Sequence, residues 1–125
     1  MISLTSAIPG EIKGYYEAYR LGGKLPWKDL FQPAIDLCMH GFKVSASLAA
    51  ALKKTENSLR NNNELKEIYF NKTTNSVYKK GDFIKLPKLA ETYRLISESN
   101  SSDVFYNGKL TDLILTEMNE NGDFI

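Results

Sequence analysis

The stretch Leu25–Gly41, LPWKDLFQPAIDLCMHG, decides how this chain reads. Trp27, Leu30, Phe31, Ala34, Leu37 and Cys38 fall at helical spacing and mark out one apolar stripe. Pro26 suits a first helical turn, where its missing N–H is not needed. Gly41 is a stop signal at the other end. Pro33 is the oddity: inside a helix it removes one backbone bond and crowds the preceding turn, at a cost of about 3 kcal/mol. The stretch is therefore either a kinked helix or two short helices, with Pro33 opening the second. Either way the stripe is an inner surface that needs partners. On physical grounds alone it is the core helix of a mainly helical domain, and it carries no chemistry.

Upstream, Met1–Ile8 alternates loosely and reads as extended, and Pro9-Gly10 is a turn signal. Glu11–Leu21 then reads as a helix, with Ile12, Tyr15, Tyr16 and Tyr19 on its apolar face and Glu11 where the helix dipole favours an anion. Gly14 costs about 1 kcal/mol there relative to alanine, which suggests close approach of another backbone. Gly22-Gly23 ends the helix.

Downstream, Phe42–Val44 reads as extended. Ser45 or Ser47 caps a helix running to about Asn57, with Leu48, Ala49 and Leu52 inward. Asn57–Asn63 reads as a turn and solvated loop, and Glu64–Phe70 as a short helix or a strand. Between Asn71 and Lys85 the pattern predicts a small β-hairpin. Its strands hold Val77-Tyr78 and Phe83-Ile84, with a turn at Lys80-Gly81-Asp82. From Pro87 another helix carries Leu89, Ala90, Tyr93 and Ile96 inward. Ser101-Ser102-Asp103 caps a short turn with Val104, Phe105 and Tyr106. Lys109–Asn119 is a last amphipathic helix, with Leu110, Leu113, Ile114 and Met118 inward, stopped by Asn121-Gly122. No internal repeat, linker or domain boundary stands out in residues 1–125. The chain stops on the apolar pair Phe124-Ile125, a pattern expected of a sequence cut from something longer.

A chain of 125 residues with 42% apolar and 25% charged content is ordinary for a soluble globular protein. It can bury about two-thirds of its unfolded surface. Sixteen basic and fifteen acidic residues leave a net charge of +1, without a clustered basic run of the kind a nucleic-acid surface needs. With Cys38 the only cysteine, no internal disulfide is available. Met1–Gly10 lacks the basic-then-apolar pattern of a signal peptide. No apolar run approaches the roughly 18 residues of a membrane span.

The chemistry-bearing side chains are sparse. His40 is the single histidine, and in the last turn of an apolar helix such a residue serves packing or the dipole unless further ligands converge on it. Cys38 lies on the apolar stripe with nothing nearby to lower its pKa, so it reads as an inert thiol. Tyr15, Tyr16 and Tyr19 read as core, since no basic groove accompanies them. Glu117 and Glu120 read as a solvated helix face. Gly22-Gly23-Lys24 lacks the flanking pattern of a phosphate-binding loop. Two Asn-x-Ser/Thr sequons, Asn71-Lys72-Thr73 and Asn100-Ser101-Ser102, fall in expected surface loops and are candidate N-glycosylation sites in a secretory protein.

Four stretches, taken in order and at their spacing, carry a resemblance. They are Ala7-Ile8-Pro9-Gly10-Glu11-Ile12-Lys13-Gly14-Tyr15, then Leu25-Pro26-Trp27, then Leu30-Phe31-Gln32-Pro33-Ala34-Ile35 running on to Gly41-Phe42, and Phe105-Tyr106-Asn107-Gly108. Together with Leu86-Pro87, Leu89-Ala90 and Thr92-Tyr93 they resemble the large subunit of γ-glutamyltransferases, also called γ-glutamyl transpeptidases or glutathione hydrolases. The patterning predicts a fold that is mainly α with a small β-hairpin, and the resemblance implies that this is the helical portion of an N-terminal-nucleophile hydrolase α/β sandwich. It implies a precursor that cuts itself into two subunits. The new N-terminal threonine of the small subunit then attacks the γ-glutamyl amide of glutathione, with its own α-amine as base. The γ-glutamyl group passes to water, amino acids or peptides. No cofactor, metal or nucleic acid is implied. The partners the resemblance implies are glutathione, γ-glutamyl acceptors and the small subunit of the same precursor, and the location it implies for the full-length protein is the extracellular face of the plasma membrane.

No catalytic or substrate-binding residue carries over. No threonine here sits in the family's nucleophile motif, and Arg20, Arg60 and Arg94 do not match its substrate-binding arginine. The expectation is a scaffold region from the middle of the large subunit, inactive alone; the alternative is a truncated, non-enzymatic helical interaction module. Where many animal members carry a close cysteine pair, this chain has Leu65–Phe70, so packing must hold that segment. Asn107-Gly108-Lys109 breaks a sequon that many members have.

Overall fold

The structure, a computed structural model, describes residues 8–120. The expected extended start before Ile8, the stop at Asn121-Gly122 and the apolar end lie outside the described residues. The fold is mainly α, as the patterning predicts, with two small strand pairs where one hairpin is expected. In order come α1 (Glu11–Gly22), α2 (Trp27–His40), β1 (Phe42–Lys43), α3 (Ala46–Arg60), α4 (Asn63–Tyr69), β2 (Phe70–Asn71), β3 (Ser76–Val77), β4 (Phe83–Ile84), α5 (Pro87–Glu98), α6 (Asp103–Tyr106) and α7 (Lys109–Glu120). The chain divides into two compact units. One takes the residues up to Gln32 and from Thr92 onward, and the other takes Pro33–Glu91.

The core of the first unit is Trp27, Ile96 and Leu110, with Ile12, Tyr16, Tyr19, Phe31, Leu95, Val104 and Phe105 packed on it. The aromatic rings meet edge to face. Trp27 lies 5.2 Å from Tyr16 at 84° and 4.8 Å from Phe31 at 67°, arrangements favoured by the ring quadrupoles. The α1 face is narrower than expected. Ile12, Tyr16 and Tyr19 pack, but Tyr15 is 63% exposed, because i+3 from Ile12 falls at the edge of the arc that Trp27 covers. Gly14 meets no atom within 4 Å of where a Cβ would stand, so the expected close backbone approach is absent.

The core of the second unit is Val44, Leu52, Leu59, Phe70, Val77 and Ile84. The Ser45 hydroxyl caps α3 by accepting from the Leu48 N–H at 3.1 Å. α3 then runs on to Arg60, through the residues that read as loop, because Leu59 one turn further on is buried and anchors it. Only Asn61 and Asn62 break the chain before α4. The Asn62 side chain caps α4, accepting from the Leu65 N–H at 2.9 Å. The Leu65–Phe70 segment is held by packing. Phe70 is buried in the core, with the Arg60 guanidinium 4.8 Å above its ring.

Val77 and Phe83-Ile84 lie in strands as expected, Tyr78 does not, and the partners differ. A small hairpin exists, formed by β2 with β3: Phe70 pairs with Val77 and Asn71 with Ser76. Phe83-Ile84 instead pairs antiparallel with β1, Phe42 opposite Ile84 and Lys43 opposite Phe83. The turn at Lys79–Asp82 does form, closed by the Asp82 N–H to the Lys79 carbonyl at 3.0 Å. It joins two different ladders, and Val77 and Ile84 from the two ladders are buried in one core.

Of the two readings of Leu25–Gly41, α2 is one helix with Pro33 inside it. Its buried seam is Trp27 and Cys38, with Phe31 and Ala34 half-buried; Leu30 and Leu37 are exposed at its edge. α7 likewise buries Leu110 and half-buries Met118, but leaves Leu113 and Ile114 exposed. Along α5, Ala90 and Ile96 are buried while Leu89 stays at the surface.

Candidate functional site

The stretches that carry the resemblance become specific contacts. α1 opens at Gly10, which has no side chain to cap it. The cap comes from Tyr106, whose phenolic oxygen donates to the Pro9 carbonyl at 2.6 Å and accepts from the Lys13 N–H at 3.3 Å. One orphan donor of the helix start is thereby satisfied. Trp27 is buried, and its indole N–H donates to the Ile96 carbonyl at 3.2 Å.

Gly108 sits where a Cβ would stand 2.9 Å from the Val104 Cα, so α6 can turn into α7 only through a glycine. Thr111 ties that corner: its hydroxyl donates to the Phe105 carbonyl at 2.9 Å and accepts from the Gly108 N–H at 3.1 Å. In the second unit, Gly41 has φ +94° and a Cβ there would lie 3.2 Å from the Ile84 carbonyl, so the stop after α2 requires glycine twice over. The Leu86 N–H donates to the Cys38 carbonyl at 2.8 Å, tying the Leu86-Pro87 stretch to the end of α2.

No reacting centre emerges from the candidate side chains. Cys38 is buried, and that burial pushes its thiol pKa up, away from the thiolate. His40 is exposed in the last turn of α2. Among the described residues neither side chain has a hydrogen-bond partner, and no three His, Cys, Asp or Glu residues converge as a metal site. Glu117 and Glu120 lie exposed on α7. Among the described residues, the ionic group centred on Glu56 is structural. Glu56 takes the Lys53 ammonium at 2.7 Å and the Arg60 guanidinium at 3.0 Å. The hydrogen bond from Lys53, then that from Arg60, holds its carboxyl below the usual carboxylate range against an opposing desolvation.

The two sequons differ. Asn71 lies half-buried in β2 rather than in a loop, and its side-chain oxygen accepts from the N–H groups of Thr73 at 2.9 Å and Thr74 at 3.4 Å. Asn100 is exposed, with φ +49°, in the turn after α5. No helix among the described residues is long and apolar enough to cross a membrane.

The geometry thus defines a helical framework whose sequence signature fixes caps, corners and packing. Comparison with known proteins says which framework. The γ-glutamyltranspeptidase family model matches residues 2–125. Scoloptoxin SSD14 of Scolopendra dehaani is 34% identical over 122 residues, covering 98% of this chain and 21% of that protein. Glutathione hydrolase 2 of Arabidopsis thaliana is 33% identical over 123 residues, again 98% of this chain and 21% of that protein. Among solved structures, the Helicobacter pylori γ-glutamyltranspeptidase superposes with a TM-score of 0.86 at 27% identity, over 97% of this chain and 34% of that one. The chain belongs to the γ-glutamyltranspeptidase family. It spans about a fifth of the length of the curated relatives it matches.

Proposed function

We propose that residues 1–125 are a single stretch from the middle of the large subunit of a γ-glutamyltransferase, or glutathione hydrolase, and act there as scaffold. In the complete protein, an N-terminal threonine on the small subunit attacks the γ-glutamyl amide of glutathione, with its α-amine as base. Backbone N–H donors stabilise the oxyanion. Cysteinylglycine leaves, and water, an amino acid or a peptide takes the γ-glutamyl group from the enzyme. The role of this chain is mechanical: it holds corners and helix starts in register for residues carried on other parts of the polypeptide.

The observation that carries the reading is the family match over residues 2–125, with the matching stretches resolving into structural contacts. The barren chemistry of Cys38 and His40 supports a scaffold role over an active centre. The small subunit of the same precursor is the expected partner, and the extracellular face of the plasma membrane the expected location. In that compartment Asn71 and Asn100 are the sequons available for N-glycosylation.

A γ-glutamyl-anilide cleavage assay tests this. The 125-residue chain should release no anilide, whereas a longer product of the same gene that carries the threonine should release it. Turnover by the chain alone would overturn the scaffold reading.

A further inference from the structure

Asn107-Gly108 is one of two Asn-Gly pairs in the chain; the other, Asn121-Gly122, lies outside the described residues. Asparagine amides are thermolabile, above all before glycine, whose missing side chain leaves the next backbone nitrogen unhindered. That nitrogen bonds to the asparagine Cγ as the Cγ–Nδ2 bond breaks, and ammonia leaves with the amide proton. Water then opens the cyclic imide. Breaking the new N–Cγ bond gives aspartate, and breaking the original main-chain bond gives isoaspartate, with the chain rerouted through the side chain. Asn107 is exposed and meets the sequence requirement, but the corner between α6 and α7 is set against the reaction. The Gly108 N–H, which must give up its proton to attack, donates to the Thr111 hydroxyl at 3.1 Å. That hydroxyl is itself fixed by donating to the Phe105 carbonyl at 2.9 Å. Asn107 has φ −140° and ψ 20°. A ψ near zero turns the Gly108 nitrogen toward the Asn107 backbone nitrogen, whereas ring closure needs it eclipsed with the Asn107 Cβ. Rotation into that position is hindered on both sides. The Asn107 N–H is held by the Asp103 carbonyl at 2.8 Å, and a Cβ on Gly108 would stand 2.9 Å from the Val104 Cα.

We propose that Asn107-Gly108 is a conditional deamidation site, inert while the α6–α7 corner is formed and reactive once that corner opens. Thr111 is the positioning residue, because its hydroxyl holds the nitrogen that attacks. The observed rate is the intrinsic rate multiplied by the fraction of time the corner is open, the same dependence that governs amide hydrogen exchange. Water is the only co-reactant, so the reaction calls for no ligand and no docking surface. Isoaspartate adds a methylene to the main chain at a corner with no room for a Cβ, so the product does not refit the native turn. The inference goes beyond the enzymatic reading and does not depend on it, since it concerns chemistry internal to one corner of the chain.

The test incubates the 125-residue chain in mildly alkaline buffer, native and in denaturant. Peptide mass spectrometry follows deamidation at Asn107, separately from Asn121, and identifies isoaspartate by its altered linkage. Native Asn107 should react at least about tenfold more slowly than in denaturant, as a corner closed most of the time requires. Thr111→Val keeps the side-chain shape and removes the hydroxyl. It should speed the native reaction about fivefold, the worth of one lost hydrogen bond. Thr111→Ser should keep the slow rate. Thr116→Val loses a hydroxyl that bonds the Asp112 carbonyl on the same helix, and it should leave the rate at Asn107 unchanged. In denaturant all four chains should react alike. Equal rates for the native and denatured chain would overturn the proposal, and that comparison needs no variant. So would a Thr111→Val rate no faster than that of Thr116→Val, or a Thr111→Ser rate as fast as that of Thr111→Val.

Discussion

The phenolic oxygen of Tyr106 sits 2.6 Å from the Pro9 carbonyl and closes the start of α1 from 97 residues away in sequence. Gly10 stands at the capping position without a side chain to do this locally. Two stretches far apart in the chain are therefore parts of one helix cap. Tyr106→Phe should destabilise the first unit by about 1 kcal/mol, the usual worth of a cap. Amide hydrogen exchange should speed up first at Ile12 and Lys13, with α3 unaffected. Uniform exchange changes across both units would refute the local account.

Trp27 is the keystone of the aromatic cluster and the only tryptophan, so its emission reports on the first unit directly. Folded protein should emit in the blue, as a buried indole does. Trp27→Ala should cost about 3–5 kcal/mol through lost burial and a cavity. Trp27→Phe should cost less, because the Ile96 carbonyl keeps a second donor, the Ser99 hydroxyl at 2.8 Å. Equal losses for the two variants in denaturant titrations would show that the hydrogen bond, and not volume, dominates.

Gly108 is fixed by contact with the α6 backbone, with no room for a Cβ beside the Val104 Cα. Gly108→Ala should cost about 1–3 kcal/mol, the range for overpacking against groups that cannot yield. Gly14→Ala is the contrasting case, since the space beside Gly14 is open. It should stabilise α1 by up to about 1 kcal/mol through helix propensity. Chemical denaturation of the two variants side by side checks the pair of signs.

Leu113 is 53% and Ile114 39% exposed on α7. Apolar surface of this kind drives association, so the isolated 125-residue chain should self-associate, and Leu113→Lys should shift it toward monomer in size-exclusion chromatography. A sharp cooperative melt of the unmodified chain as a monomer would argue against this expectation.

Cys38 should be slow to react. Burial raises its thiol pKa, so the thiolate is scarce at neutral pH and grows only on the alkaline side of the ordinary thiol value. Alkylation should be far slower in the native chain than after denaturation, with the ratio shrinking as pH rises. Rapid native labelling at pH 7 would mean that the α2 seam opens readily.

Interactions between near neighbours were legible in the sequence. The period of Trp27, Phe31, Ala34 and Cys38 marks α2, the Ser45 cap reaches only three residues, and Gly41 stops the helix, because helical spacing and capping are set by adjacent residues. The order of short stretches likewise placed the chain in its family. Which apolar positions are covered was not legible. Leu30, Leu37, Leu113 and Ile114 carry the same local signal as buried residues, and only the position of a partner surface separates them.

Helical periodicity, caps and the family signature were thus determined by the sequence itself, since each is written in residues close along the chain. Tertiary structure alone decided that Phe83 pairs with Lys43 and not within its own hairpin, and that Tyr106 caps α1. Those pairings close long loops, and whether a loop closes depends on the burial gained where distant residues such as Val77, Ile84 and Val44 meet in one core.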